Sequence, residues 1–159
     1  MTLITDRPAR ATGPSALVSR LVGLFERIPL SLASTLARLA IAGVFWQSGQ
    51  TKVSGFALND TAIYLFENEY RLPLLDPWLA AHLAAIAEHL FPVLLVIGLA
   101  SRFSALALLG MTLVIQIFVY PDAWPTHGTW AACLLLIIIA GPGPLSLDRL
   151  IAGRFRRAA

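Results

Sequence analysis

Apolar residues recur along the chain in two patterns, and both predict helix. Over residues 15–28, Leu17, Leu21, Phe25 and Ile28 repeat at helical intervals beside Val18 and Val22, while Arg20, Glu26 and Arg27 take polar positions. That spacing predicts a short amphipathic helix ended by Pro29, either lying on a membrane surface or packed as a linker on the rest of the protein. Beyond Pro29 come continuous apolar runs at 31–50, 78–100, 103–120 and 127–145. Each approaches the ~20 helical residues that a hydrocarbon core about 30 Å thick requires. The expected fold is therefore all-α: an integral membrane four-helix bundle with an N-terminal amphipathic interfacial helix. Gly141-Pro142-Gly143-Pro144 should break the fourth run near its end.

The segment between the first two runs, residues 53–77, is a long loop for such a bundle. Asn59-Asp60 is a candidate N-cap, followed by Ile63, Phe66 and Tyr70 at helical spacing and a stop at Pro73. A second interfacial helix or a re-entrant lid over the bundle would fit this pattern. Trp78, Trp124 and Trp130 fall where an aromatic belt at the outer interface is expected.

Composition agrees with the pattern: 57% of residues are hydrophobic, 13% are charged, and the mean hydropathy is +0.73. A soluble domain carries roughly 25% charged residues, so that class is excluded and the bilayer is the expected surrounding. The chain divides into an N-terminal segment (1–30), a membrane domain (31–148) and a basic tail (149–159). The net charge of +3 and pI near 9.6 do not imply nucleic acid, because the arginines cluster at the chain ends and beside the apolar runs. Arg7, Arg10, Arg20, Arg27, Arg102, Arg149, Arg154, Arg156 and Arg157 fall on one side of the predicted bundle. Lys52 and Arg71 fall on the other, among Asp60, Glu67, Glu69, Asp76 and Asp122. By the positive-inside rule both termini are expected in the cytoplasm. The polar start of the chain does not match a signal peptide, so an uncleaved N-terminus is expected. Cys133 is the single cysteine, which excludes an intramolecular disulfide and a cysteine-pair metal site.

Ionisable residues inside the runs are the candidates for chemistry, since a charge in hydrocarbon costs about 2.5 kcal/mol or more and needs a partner or a cavity. They are Arg38 in the first run and His82, Glu88 and His89 in the second. Counted from the outer edges at 1.5 Å per residue, Arg38 lies about 20 Å deep and Glu88 about 15 Å, so an Arg38–Glu88 ion pair is expected. It would serve either as a register-fixing pair or as a proton or substrate site. His82 and His89 stand two turns apart, too far to share one ion, and no metal site is expected. Nearer the outer surface lie Gln47, Gln50, His82 and Gln116, with Lys52 and His127 at the rim. Amides and imidazoles in apolar walls can receive the carbonyl oxygens of a lipid-soluble quinone, or they can simply bond helix to helix. Gln47, His82 and Gln116 form the expected quinone site, with Phe45, Trp46, Phe91 and Phe118 as walls. Glu88 and His89 are the expected proton-exchanging, catalytic pair.

Several of these residues also occur in a recognisable order. Arg38, Gly49-x-x-Lys52, Glu88, Gly98-Leu99 followed by Arg102, and a closing Gly141-Pro142-Gly143 with Ser146-Leu147-Asp148 resemble the DoxX family of small four-span bacterial membrane proteins, over about residues 36–148. The resemblance implies a bacterial inner-membrane location and association with redox systems, including thiosulfate:quinone oxidoreductase, with assemblies that handle thiol or oxidative stress, or with metal-handling peptide clusters. Dithiol chemistry would need a cysteine pair that this chain lacks.

Three functions follow as alternatives. The first is an accessory redox subunit linking a protein partner on the outer face to the quinone pool, with quinone bound non-covalently. The second is a non-catalytic membrane scaffold for a stress or metal-handling system. The third is a transporter of a small solute or metal ion, ranked last because no discontinuous helix pair is visible. A homo-oligomer stays open.

Overall fold

A computed structural model describes residues 14–70 and 72–158, with the side chains of 14–16 and 156–158 left aside. Arg7, Arg10, Arg71 and the expected uncleaved N-terminus lie outside the described residues, as do the side chains of Ser15, Arg156 and Arg157. The chain is all-helical apart from one small hairpin. Its elements are α1 (Pro14–Phe25), α2 (Leu30–Gln50), β1 (Val53–Ser54), β2 (Ala57–Leu58), α3 (Asp60–Asn68), α4 (Pro77–Ile97), α5 (Ser101–Val114), α6 (Trp124–Ala140) and α7 (Leu147–Ala158). A π-helical turn, Ile115–Val119, continues α5. Among the described residues three helices are long and apolar enough to cross a membrane: α2, α4, and α5 with its π turn. The fourth, α6, is apolar but shorter, running from Trp124 and stopping at Ala140 before Gly141.

The core is a seam of small and branched side chains. Ile41, Ala42 and Phe45 of α2 meet Leu95 of α4, Ala105 and Leu108 of α5, and Leu134 and Ile137 of α6. The opposite faces are just as apolar. Leu36, Ile86, Leu106 and Ile139 are all more than half exposed, which water would penalise and lipid does not. Along α1, Leu17, Val18, Leu21, Phe25 and, beyond its end, Ile28 also stand exposed. The bundle does not cover this apolar face.

The stagger between α2 and α4 organises everything else. A methyl group placed on Gly49 would lie 2.9 Å from Cε1 of His89 and 3.1 Å from Cβ of Glu88. The C-terminal end of α2 is therefore level with the middle of α4. With eleven residues of α4 preceding Glu88 and α2 ending one residue after Gly49, α4 rises roughly 15 Å past the end of α2. The segment that rises carries Ala80, Ala81 and Ala84, against which Phe66 of α3 packs. Asn59 caps α3, its side chain accepting from the Ala62 N–H at 2.7 Å, and its amide donates to the Thr51 carbonyl at 2.9 Å. The helix expected in this segment thus exists as α3, held over the end of α2 by this cap and by the Val53↔Leu58 hairpin.

Candidate functional site

Beneath α3 lies a cavity of about 440 Å³ between the ends of α2, α4, α5 and α6 that face α3. Its walls are mainly aliphatic and aromatic, including Phe45, Phe66, Met111, Val119 and Trp130. The polar groups that line it are Ser48, Lys52, Tyr70, Glu88, Tyr120 and His127.

Ser48, Lys52 and Glu88 form a closed ring. Lys52 Nζ stands 2.7 Å from Oε2 of Glu88, with the Glu88 side chain 2% exposed. The Ser48 hydroxyl donates to Oε1 of the same carboxylate at 3.1 Å and accepts from Lys52 Nζ at 3.1 Å. Lys52 lies four residues after Ser48, just past the end of α2, so its flexible stem bends back along the helix to reach a carboxylate on α4. In an apolar wall this arrangement gives Oε1 a hydrogen bond and Oε2 an ion pair, and neutralises the charge.

On the other side of the cavity, Tyr120 donates its phenol hydrogen to the Tyr70 oxygen at 3.2 Å, leaving the Tyr70 hydrogen available as a donor. Burial pushes the Tyr70 phenol well above its ordinary range; it therefore stays protonated. His127 is buried, its Nδ1 held by Oε1 of Gln116 at 2.7 Å. The Gln116 amide orientation is fixed, since its Nε2 donates to the Pro121 carbonyl at 2.5 Å and that oxygen can only accept. Nδ1 of His127 accordingly carries the hydrogen, and in the neutral ring Nε2 is the acceptor. The π turn contributes to this arrangement: Tyr120 N–H bonds back to Ile115 O at 2.9 Å, and Ile115, Val119 and Tyr120 all line the cavity. Such turns widen a helix locally and recur at functional sites.

The sequence profile of the DoxX family matches residues 33–121. The chain belongs to the DoxX family. An uncharacterized protein of Haemophilus influenzae is similar to it, 30% identical over 128 residues that cover 73% of this chain and 81% of the relative. No solved structure matches.

The motif residues of this DoxX chain separate into two groups at opposite ends of the bundle. Gly49, Lys52 and Glu88 meet at the cavity beneath α3, where Gly49 permits the close approach of α2 to α4. Arg38, Gly98, Arg102 and the closing 141–148 segment meet at the other end. Gly98 caps α4 with φ +73°, and a Cβ there would stand 2.1 Å from Nη1 of Arg38 and 2.5 Å from Cβ of Ser146. Arg38 donates through Nη2 to the Leu145 carbonyl at 2.5 Å. Ser34 donates to the Gly141 carbonyl. Asp148 accepts from the Ala100 and Ser101 N–H groups at 2.8 and 2.9 Å, capping α5 from 47 and 48 residues away. The closing segment lies beyond the residues the profile matches, yet it is fastened directly to Gly98.

This geometry corrects the expected Arg38–Glu88 pair. The stagger places Arg38 level with Gly98 and Glu88 level with Gly49, so each finds another partner. It also disperses the expected quinone triad. Gln47 is exposed on the outer face of α2. His82 turns back on its own helix, its Nδ1 bonded to Trp78 O at 2.8 Å and its ring stacked on the indole. Gln116 stands behind His127 and does not line the cavity. His89 points between α2 and α4, with Nδ1 on Ala85 O at 2.6 Å and Nε2 facing Gln50 Nε2 at 2.9 Å. Of the expected walls only Phe45 lines the cavity; Trp46 packs on His89, Phe91 on Phe103, and Phe118 is exposed. The rim residues Lys52 and His127 do line it. Ser48, Tyr70 and Tyr120 complete the polar lining and were not singled out for chemistry; the i, i+4 spacing of Ser48 and Lys52 was the one signal in the sequence. Among the described residues no group of three His, Cys, Asp or Glu side chains stands close enough to hold a metal.

Proposed function

We propose that this DoxX protein binds the head group of a lipid-soluble quinone in the outer cavity and acts as an accessory redox subunit for a protein partner on the outer face. The observation that carries the reading is the donor set: a protonated phenol, an imidazole of fixed tautomer and a paired carboxylate converge on one apolar cavity. Its volume suits a substituted ring with part of its tail. A bound quinone would supply two-electron, two-proton redox chemistry. Tyr70 donates a hydrogen bond to a carbonyl oxygen, and His127 Nε2 accepts from a hydroxyl or, once protonated, donates to a carbonyl. Glu88 holds a proton-accepting oxygen beside Lys52, so a proton arriving there releases the ammonium to face the cavity. Gln116 and His89 position their neighbours and do not touch the ligand.

In this reading α2, α4, α5 with its π turn, and α6 make four crossings of a bacterial inner membrane, with both termini in the cytoplasm. The shorter α6 spans because Trp124 and Arg102 mark its two interfaces. Titration of purified protein with a short-chain quinone, followed by quenching of Trp130 in the cavity wall, tests the proposal. Saturable quenching that weakens about tenfold in Tyr70→Phe and His127→Leu supports it; no saturable quenching by the parent protein sinks it. The scaffold alternative draws on a different observation: Phe56 at the hairpin tip and Leu74 in the outer loop stand fully exposed, a surface that a partner protein could cover.

A further inference from the structure

The C-terminal end carries a surface unrelated to the cavity beneath α3. Helix α7 begins where Asp148 is pinned: its N–H donates to Gly98 O at 2.9 Å, and its carboxylate is engaged by the start of α5. With that acid committed to the bundle, the remaining charges of α7 are Arg149, Arg154, Arg156 and Arg157. Leu150, Ile151 and Phe155 fall on one helical face, and Leu150 and Phe155 are 65% and 72% exposed. A short helix with an uncovered apolar stripe and a basic remainder is stable where hydrocarbon meets anionic headgroups.

A second observation lies alongside. Between α7 and the start of α5 is an open cleft of about 520 Å³, lined by Ser31, Ser101, Arg102, Gly143 and Arg149 among others. The Ser101 side chain is fully buried, yet its hydroxyl has no hydrogen-bond partner. Two guanidinium groups and an unpartnered hydroxyl thus share one cleft whose single acid, Asp148, is already occupied. Arginine forks match the geometry of phosphate oxygens.

We infer that α7 and this cleft bind an anionic phospholipid, with its phosphate between Arg102, Arg149 and the Ser101 hydroxyl, an acyl chain against Phe103 at the cleft wall, and Leu150 and Phe155 of α7 set into the same leaflet. The inference stands independently of the quinone reading and of which way the chain crosses the membrane; it requires only that this end meets a leaflet. The occupant is a lipid rather than free phosphate because the apolar side chains of Phe103 and Pro142 line the cleft beside the two guanidinium groups.

The test uses the full chain with Cys133→Ala and a fluorophore on Leu150→Cys, in nanodiscs of phosphatidylcholine alone or mixed equally with phosphatidylglycerol. Acrylamide should quench the label about threefold less in the mixed discs. Arg149→Gln with Arg154→Gln should abolish that difference. Native mass spectrometry of detergent-purified protein with added phosphatidylglycerol gives the second readout. Arg102→Gln and Arg149→Gln should each reduce retained lipid about fivefold, with thermal unfolding unchanged. Equal quenching in both discs, unchanged lipid retention in the variants, or displacement of the lipid by inorganic phosphate would overturn the inference.

Discussion

Lys52 places its ammonium 2.7 Å from the carboxylate of Glu88 on α4, although Lys52 itself lies beyond the last turn of α2. Removing one partner of a buried pair strands the other charge, at about 3 to 5 kcal/mol, whereas removing both is milder. Glu88→Gln and Lys52→Met should each lower the unfolding temperature in detergent, and the double variant should recover part of the loss. Strictly additive losses would show that the pair is uncoupled. Arg38→Gln combined with Glu88→Gln should be additive, since those residues stand at different levels of the bundle.

The opposite end predicts a steric effect. Gly98 adopts φ +73°, and any side chain there meets Arg38 and Ser146. Gly98→Ala should cost at least about 2 kcal/mol, appearing as a sharp loss of folded protein in size-exclusion profiles. Asp148→Ala removes the cap from α5 and should cost about 1 to 2 kcal/mol, lowering the midpoint of thermal unfolding by a few degrees. Wild-type stability in both variants would mean that this end is held by something other than the Arg38–Gly98–Asp148 contacts.

Much of the architecture was readable because a membrane leaves few choices. The apolar runs set the long helices, Pro29 separated α1 from α2, and Asn59-Asp60 marked the start of α3. The error lay in register. Depth counted from the helix ends assumes that neighbouring helices end together, and α4 rises past α2 to support α3. That offset, of order 15 Å, exchanged Arg38 for Lys52 as the partner of Glu88. Helix rotation is likewise invisible to depth. Gln47 and Ser48 are adjacent and equally polar, yet one faces outward and the other completes the carboxylate ring. The closing 146–148 motif was recognisable as a pattern, but its role as a remote cap on α5 requires the fold.

The proposed four crossings can be tested by accessibility labelling in a Cys133→Ala background. Asn59→Cys should react with a membrane-impermeant maleimide in intact cells, and Ala159→Cys should react only after lysis. Labelling of Ala159→Cys from outside would reverse or break the topology, and with it the assignment of the cavity to the outer half of the membrane.

The last prediction separates the cavity from the triad expected from sequence. Gln116 does not line the cavity, but its Oε1 fixes the hydrogen on Nδ1 of His127, and its Nε2 is tied to Pro121 at the end of the π turn. A residue that sets a histidine tautomer acts through it, as outer partners of metal-bound histidines do. If His127 addresses the ligand through Nε2, Gln116→Leu should weaken quinone-analogue binding about five- to tenfold while leaving the cavity walls in place. Gln116→Glu retains an acceptor oxygen toward Nδ1 and should lose less. Gln47→Leu, on the outward face of α2, should bind like the parent, and His82→Ala, closed on Trp78 within its own helix, should do the same. Titrations of the four variants by Trp130 quenching, with unfolding temperatures measured alongside, distinguish the two sites. A loss of binding in Gln47→Leu or His82→Ala that exceeds the loss in Gln116→Leu would move the ligand out of the cavity beneath α3.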